Sequence, residues 1–110
     1  MSLLTKQLGN GVVDVDGEAT LLTVPSGRLW LVKTLLVAPV IASTALIVVS
    51  AGPTGNLVPF WWPAAATAQD SRVLEPWVVL EAGEELHLYV SGLSGTDGVR
   101  WLASGVDFPL

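Results

Sequence analysis

Short apolar runs separated by turn residues make up most of this chain. In the segment Leu86-His87-Leu88-Tyr89-Val90, apolar residues alternate with His87 and Tyr89, which is the pattern of a strand with one buried and one exposed face. Glycine and proline recur between such runs and mark turns. The pattern predicts eight strands, at residues 12–15, 20–24, 29–37, 45–50, 57–61, 77–80, 86–90 and 99–103.

Regularly spaced short strands with turns between them are typical of an all-β sandwich or barrel. The sequence therefore predicts a single antiparallel β-sandwich, jelly-roll-like, with about eight short strands. Residues 67–73 are predicted to form a loop or a single helical turn. The sandwich is expected to span residues 11–110, preceded by an N-terminal arm at residues 1–10. Leu3, Leu4 and Leu8 of this arm are apolar and precede the first clear strand, so we expect them to contact a neighbouring subunit or the surface of a larger assembly.

The predicted strand at residues 29–37 is apolar on both faces apart from Lys33 and Thr34. A strand of this kind must be covered on both sides, and in a small domain the second cover is expected from another subunit. The longer apolar stretch at residues 31–49 is interrupted by Lys33, by Pro39 and by Ser43-Thr44. Two buried strands are therefore predicted rather than a membrane-spanning helix.

The composition narrows the possible functions. Apolar residues make up 51% of the 110 residues and charged residues only 14%, which excludes a disordered chain and leaves more apolar surface than a small core can hide. A partner protein is the expected destination of that surface. Ten acidic and five basic residues give a net charge of −5, which argues against a nucleic-acid partner. The absence of cysteine removes disulfides, thiolate metal sites and cysteine catalysis.

Candidate catalytic and metal-binding residues do not form a recognisable site in the sequence. The acids between Asp14 and Glu18 alternate as in a calcium loop, but Pro25 stands where the bidentate twelfth ligand would be needed. His87 is the only histidine, and no Gly-x-Ser-x-Gly motif accompanies it. The three glutamates of the 81–85 turn are expected to keep that turn solvated. The sequence thus predicts no enzyme, no metal and no cofactor.

The aromatic segment Phe60-Trp61-Trp62, between Pro59 and Pro63, is the most unusual feature of the sequence. Adjacent side chains of a strand point to opposite faces, so one indole is expected at a protein interface, where tryptophan is often a hot spot. Alternatively, the prolines kink the chain and both rings cover the core. A third possibility is a carbohydrate-binding module with Trp61 or Trp62 as its platform. The predicted interface residues are Leu3, Leu4, Leu8, Phe60, Trp61 and Trp62.

Three motifs carry a resemblance to a known family. They are the turn Thr23-Val24-Pro25-Ser26-Gly27, the turn at residues 80–86 (LEAGEEL), and the final strand with Ser104-Gly105-Val106. The chain resembles the small β-sandwich structural proteins of tailed bacteriophages, which decorate capsids or lie at the neck and tail. The resemblance implies a location in the virion, with the capsid surface as the first expectation, and contact with the major capsid protein or another virion protein. We expect a homo-oligomer, specifically a trimer; a neck, tail or fibre component is the alternative.

Overall fold

The computed structural model describes residues 5–41, 45–53, 55–61, 71–95 and 97–110. Over these residues the chain forms nine strands and no helix. The strands are β1 (Lys6–Val13), β2 (Gly17–Thr23), β3 (Arg28–Val40), β4 (Leu46–Gly52), β5 (Val58–Trp61), β6 (Arg72–Leu74), β7 (Val78–Glu81), β8 (Glu85–Ser91) and β9 (Gly98–Pro109).

The strands form two antiparallel sheets that pack face to face, as the sequence predicted. Sheet I has the order β1-β9-β3, with both β6 and β7 on the far side of β3, and sheet II has the order β2-β8-β4-β5. Consecutive strands such as β1 and β2, β3 and β4, or β8 and β9 therefore lie in different sheets. This order is that of a jelly roll, in which the sixth of eight strand positions is divided into β6 and β7.

The division of the sixth strand position into β6 and β7 has a local cause. β6 pairs with β3 at Leu35–Val37, and β7 pairs with it at Leu29–Val32. Between them, Pro76 lacks an amide donor for the ladder, and Trp77 has a left-handed backbone conformation with φ of 50°. The short strand β6 was predicted to be a loop or helical turn, because three residues are too few to show an alternating pattern.

The predicted N-terminal arm is wrong for residues 6–10, because they belong to β1, an edge strand of sheet I. β1 begins at Lys6 and pairs with β9 from Lys6↔Gly105 to Val13↔Val99. This strand could not be recognised from an apolar alternation, because its inward positions are occupied by glycines, Gly9 and Gly11. Residues 1–4 lie outside the described part of the chain.

These glycines make room for a core tryptophan. The indole of Trp101, on β9, is buried against β1. A Cβ atom at Gly11 would lie 3.1 Å from the indole Nε1, and one at Gly9 would lie 3.1 Å from Cη2 and 2.5 Å from Leu22 Cδ2. The rest of the core lies between the sheets and is aliphatic, with its most deeply buried members being Val32, Leu35, Val37, Ile47, Val49, Leu80, Leu86, Leu88, Val90 and Val99.

Two of the three motifs behind the family resemblance meet at one end of the sandwich. The Val24 amide donates to the Glu84 carbonyl at 3.0 Å, and the Gly83 amide donates to the Val24 carbonyl at 2.9 Å. The third motif places Gly105 against the backbone of Leu31, where a Cβ atom would overlap the Leu31 carbonyl. The motifs thus serve the architecture of the sandwich.

Candidate functional site: the outer faces of the two sheets

The outer face of sheet I carries an exposed apolar patch. In β3 and β9, Leu35 and Trp101 point into the core, so their neighbours point outward, and Leu36 lies directly opposite Leu102 in the ladder. We define the apolar patch as the outward residues around this pair: Val12, Leu36, Ala38, Val40, Val73 and Leu102. All of them are exposed except Ala38, which is half-buried.

The apolar patch contains a shallow hollow, and one cation lies among its residues. The hollow has a volume of about 420 Å³, and Arg100 and Asn10 are among its lining residues. Arg100 is exposed and makes no ion pair with any other described residue. Five residues of β3, from Leu36 to Val40, across four strands span about 17 Å by 19 Å, or about 320 Å². This is the size of the largest apolar patch on a typical monomer, which is often functional.

Three side chains bound the apolar patch at the level of the break between β6 and β7. β3 carries a bulge between Val32 and Thr34. The Nζ of the bulged residue, Lys33, lies 5.0 Å from the centre of the Trp77 ring and donates a hydrogen bond to Thr5 Oγ1 at 3.3 Å. Beyond this point, the outward-facing Val106 is buried. The exposed apolar side chains of β3 and β9 therefore lie on the half of sheet I that contains Leu36 and Leu102, while Val79 on β7 is exposed on the other half.

The outer face of sheet II carries a polar groove. His87 Nδ1 lies 3.0 Å from Glu18 Oε1, and Nε2 lies 2.9 Å from Glu85 Oε1 and 3.1 Å from Thr20 Oγ1. The groove is a depression open to solvent, with a volume of about 500 Å³. We call it the sheet II groove, and its lining residues are Glu18, Val48, Ser50, Gly55, Leu57, Pro59, His87 and Tyr89.

The chemistry of the groove is set by the hydrogen bonds of the imidazole ring. Ser50 is opposite His87 in the ladder, but no hydrogen bond joins them, because both ring nitrogens already have partners on β2 and β8. The carboxylates of Glu18 and Glu85 approach different ring nitrogens, so they lie on either side of the ring rather than around one point. Among the described residues, no group of three or more His, Asp or Glu side chains could hold a metal ion.

An ion cluster lies on the inward side of sheet I at the other end of β9. Asp107 Oδ2 accepts hydrogen bonds from Arg28 Nη2 at 3.0 Å and Lys6 Nζ at 3.2 Å. The Asp107 side chain is only 10% exposed. This desolvation by itself would raise the pKa of Asp107, but the hydrogen bond from Lys6 and the charges of Arg28 and Lys6 more than offset it and lower the pKa below its ordinary value of 3.8. The cluster connects β1, β3 and β9.

The acidic turns of the sequence have structural roles. Asp16 Oδ1 accepts a hydrogen bond from the Leu93 amide at 2.9 Å. Glu84 Oε1 accepts one from the Glu81 amide at 2.7 Å, across the turn between β7 and β8. Each of these two carboxylates therefore has a backbone partner that fixes a loop.

The predicted interface residues are not brought together on one surface. Leu8 and Phe60 are half-buried and pack against the core, so only part of each side chain is open to a partner. Trp61 lies in β5 with its backbone opposite Val49; its side chain, Trp62, Leu3 and Leu4 lie outside the described residues. The sequence analysis did not predict that the residues of the apolar patch form one surface. Its signal was the two-sided apolar strand at residues 29–37, which contains Leu36.

The fold and its outer faces define the chain as a jelly-roll β-sandwich. No family model matches it, no curated protein matches it, and no solved structure matches it. In the described part of the chain there is no helix long and apolar enough to cross a membrane.

Proposed function

We propose that this chain is a non-enzymatic structural protein of a tailed-bacteriophage virion, which decorates the capsid by binding the major capsid protein through the apolar patch. The observation that carries the proposal is the patch itself, centred on the Leu36–Leu102 pair. Its exposed leucines and valines are covered by nothing in the described protomer. Apolar surface of this kind is stabilised when a protein partner removes it from water.

The charge within the apolar patch suggests what the partner offers. Arg100 lies between Val12 and Ala38 in the ladders, and it is unpaired among the described residues. A capsid surface that places a carboxylate opposite Arg100 and apolar side chains opposite Leu36 and Leu102 would satisfy both features. A charged group of this kind within an apolar surface contributes mainly to orientation and specificity.

The size of the patch favours attachment in many copies. At about 25 cal/mol per Å², burying about 320 Å² would supply at most about 8 kcal/mol. Association itself costs roughly 4–15 kcal/mol, so one contact is marginal. Copies that are linked in an oligomer and meet a repeating lattice bind far more tightly than one copy alone. This agrees with our expectation of a homo-oligomer, for which a trimer is the proposed size.

The fold and the resemblance add support of different kinds. Jelly rolls occur in viral capsid and lectin domains, although a fold alone does not determine function. The resemblance to phage sandwich proteins rests on turns whose roles in this chain are architectural. The location in the virion is therefore a proposal, and a neck, tail or fibre position is its alternative.

The copy number of this chain in purified particles tests the proposed function. Quantitative mass spectrometry against the major capsid protein would measure it. A decoration protein is expected in numbers on the order of hundreds, since it follows the capsid lattice. About six or twelve copies would favour the neck or tail, because rings there have low cyclic symmetry. Absence from the particle would contradict a virion role.

A further inference from the structure

We propose that the sheet II groove binds a neutral saccharide. The groove lies on the opposite sheet from the apolar patch, so this inference is independent of how the protein attaches to a capsid. It is also independent of Trp61 and Trp62, since the described groove is built from β2, β4, β5 and β8.

The first reason is an unused hydroxyl group. Ser50 is only 7% exposed and lines the groove. Among the described residues, the buried side-chain atoms without a hydrogen-bond partner are Trp30 Nε1 and Asp107 Oδ1, so the Ser50 hydroxyl is not sealed in the core but is accessible at the groove. A hydroxyl both donates and accepts, so a ligand carrying hydroxyl groups can satisfy Ser50 in either direction.

The second reason is a carboxylate held in place by the imidazole. His87 Nδ1 is bonded to Glu18 Oε1, while Glu18 Oε2 makes no hydrogen bond with the described residues. Since both nitrogens of His87 have partners within the protein, His87 is a positioning residue. It directs Glu18 Oε2 to accept hydrogen bonds from a ligand at the groove.

The third reason is the combination of apolar and aromatic walls. Tyr89 is exposed on the same face as His87, and Val48, Leu57 and Pro59 complete the lining. A pyranose presents aliphatic C–H groups on its faces and hydroxyl groups around its rim. The apolar walls can pack against the C–H groups of the sugar. Ser50 and Glu18 can form hydrogen bonds with its hydroxyl groups. The volume of about 500 Å³ lies within the usual range for small-molecule sites.

The charge of the groove decides against anionic ligands. Glu18 lies in the groove and Glu85 is hydrogen-bonded to His87 beside it, and the whole chain carries a net charge of −5. Phosphate, sulfate or a sugar carboxylate would be repelled by Glu18. A simple amine would pair with Glu18, but it would leave Ser50 and the apolar walls without complementary groups.

The experiment is a titration of the ¹⁵N-labelled full-length protein, followed by amide chemical shifts. The sugars are the methyl glycosides of glucose, galactose and mannose, together with N-acetylglucosamine; sialic acid and glucosamine serve as charged comparisons. At least one neutral sugar is expected to give saturable shifts at Ser50, His87 and Tyr89. Ser50→Ala is expected to weaken its binding about fivefold, whereas Ser91→Ala, a serine on β8 outside the groove, leaves it unchanged.

Two variants test whether sugar binding at the groove and capsid attachment at the apolar patch are independent. Val12→Lys, in the apolar patch, is expected to bind the sugar normally, and Ser50→Ala is expected to attach to capsids normally, so the two proposals can fail separately. The inference is overturned if no neutral sugar perturbs Ser50, His87 and Tyr89, or if Ser50→Ala binds as well as the parent protein. Tighter binding of sialic acid or of glucosamine than of every neutral sugar would overturn the ligand class.

Discussion

The ammonium group of Lys33 lies 5.0 Å from the centre of the Trp77 ring. Lys33 is the bulged residue of β3, and Trp77 is the residue with positive φ at the break between β6 and β7. The bulge and the break therefore face each other across neighbouring strands. A cation over an indole face is attracted by the ring quadrupole, so this contact fixes two irregular segments relative to each other.

The energy of this contact is measurable with a double-mutant cycle. Lys33→Ala, Trp77→Ala and the double variant are expected to show a coupling of about 0.5–1 kcal/mol in the free energy of unfolding, as is usual for exposed cation–π pairs. Urea denaturation at low ionic strength gives the values. Strictly additive effects of the two substitutions would show that the pair contributes nothing to stability.

Gly105→Ala is expected to be far more destabilising than Gly11→Ala. The added Cβ at position 105 overlaps the Leu31 carbonyl, and the backbone of a central strand cannot move aside, so a loss of about 3 kcal/mol is expected. At position 11 the neighbour is the side chain of Trp101, which can shift slightly, for a loss of about 1 kcal/mol. Thermal unfolding of both variants checks the order, and equal losses would contradict this packing.

Acid sensitivity is expected to depend on Asp107. Since its pKa in the folded protein is lowered below 3.8, the ionised carboxylate stabilises the fold. This contribution is complete above pH 3.8 and is lost as the pH falls through the lowered pKa. Asp107→Asn is expected to be less stable at neutral pH and to show a flatter stability profile below about pH 4. The control is Asp14→Asn, at an exposed aspartate outside the cluster; an unchanged profile for Asp107→Asn would contradict the role of the cluster.

The sequence predicted those elements whose alternation is carried by large side chains. β8 was recognised because leucines and valine alternate with His87 and Tyr89, and its outer face is where the structure places both. β1 was not recognised at residues 6–11, because the partner of its inward glycines is Trp101, ninety residues away. The sheet II groove combines Glu18, Ser50 and His87 from three strands, and no local pattern reveals which strands become neighbours.

The aromatic segment stays a prediction. Trp61→Ala and Trp62→Ala are to be made separately, with melting temperature and binding to undecorated capsids measured for each. One variant is expected to keep its stability and lose binding, at a cost of about 2 kcal/mol or more per contact. Unfolding of both variants would instead show that the two rings belong to the core.

The most direct test of the proposed attachment compares two valines of similar exposure. Val12, in the apolar patch, is 58% exposed, and Val58, on β5 of the other sheet, is 64% exposed. Lysine at either position is tolerated by the fold, since both side chains already face water, and circular dichroism and melting temperature would verify this. The measurement is the amount of protein that co-sediments with undecorated capsids. Val58→Lys is expected to bind like the parent protein and Val12→Lys at least tenfold less; equal binding by the two variants would contradict attachment through the apolar patch.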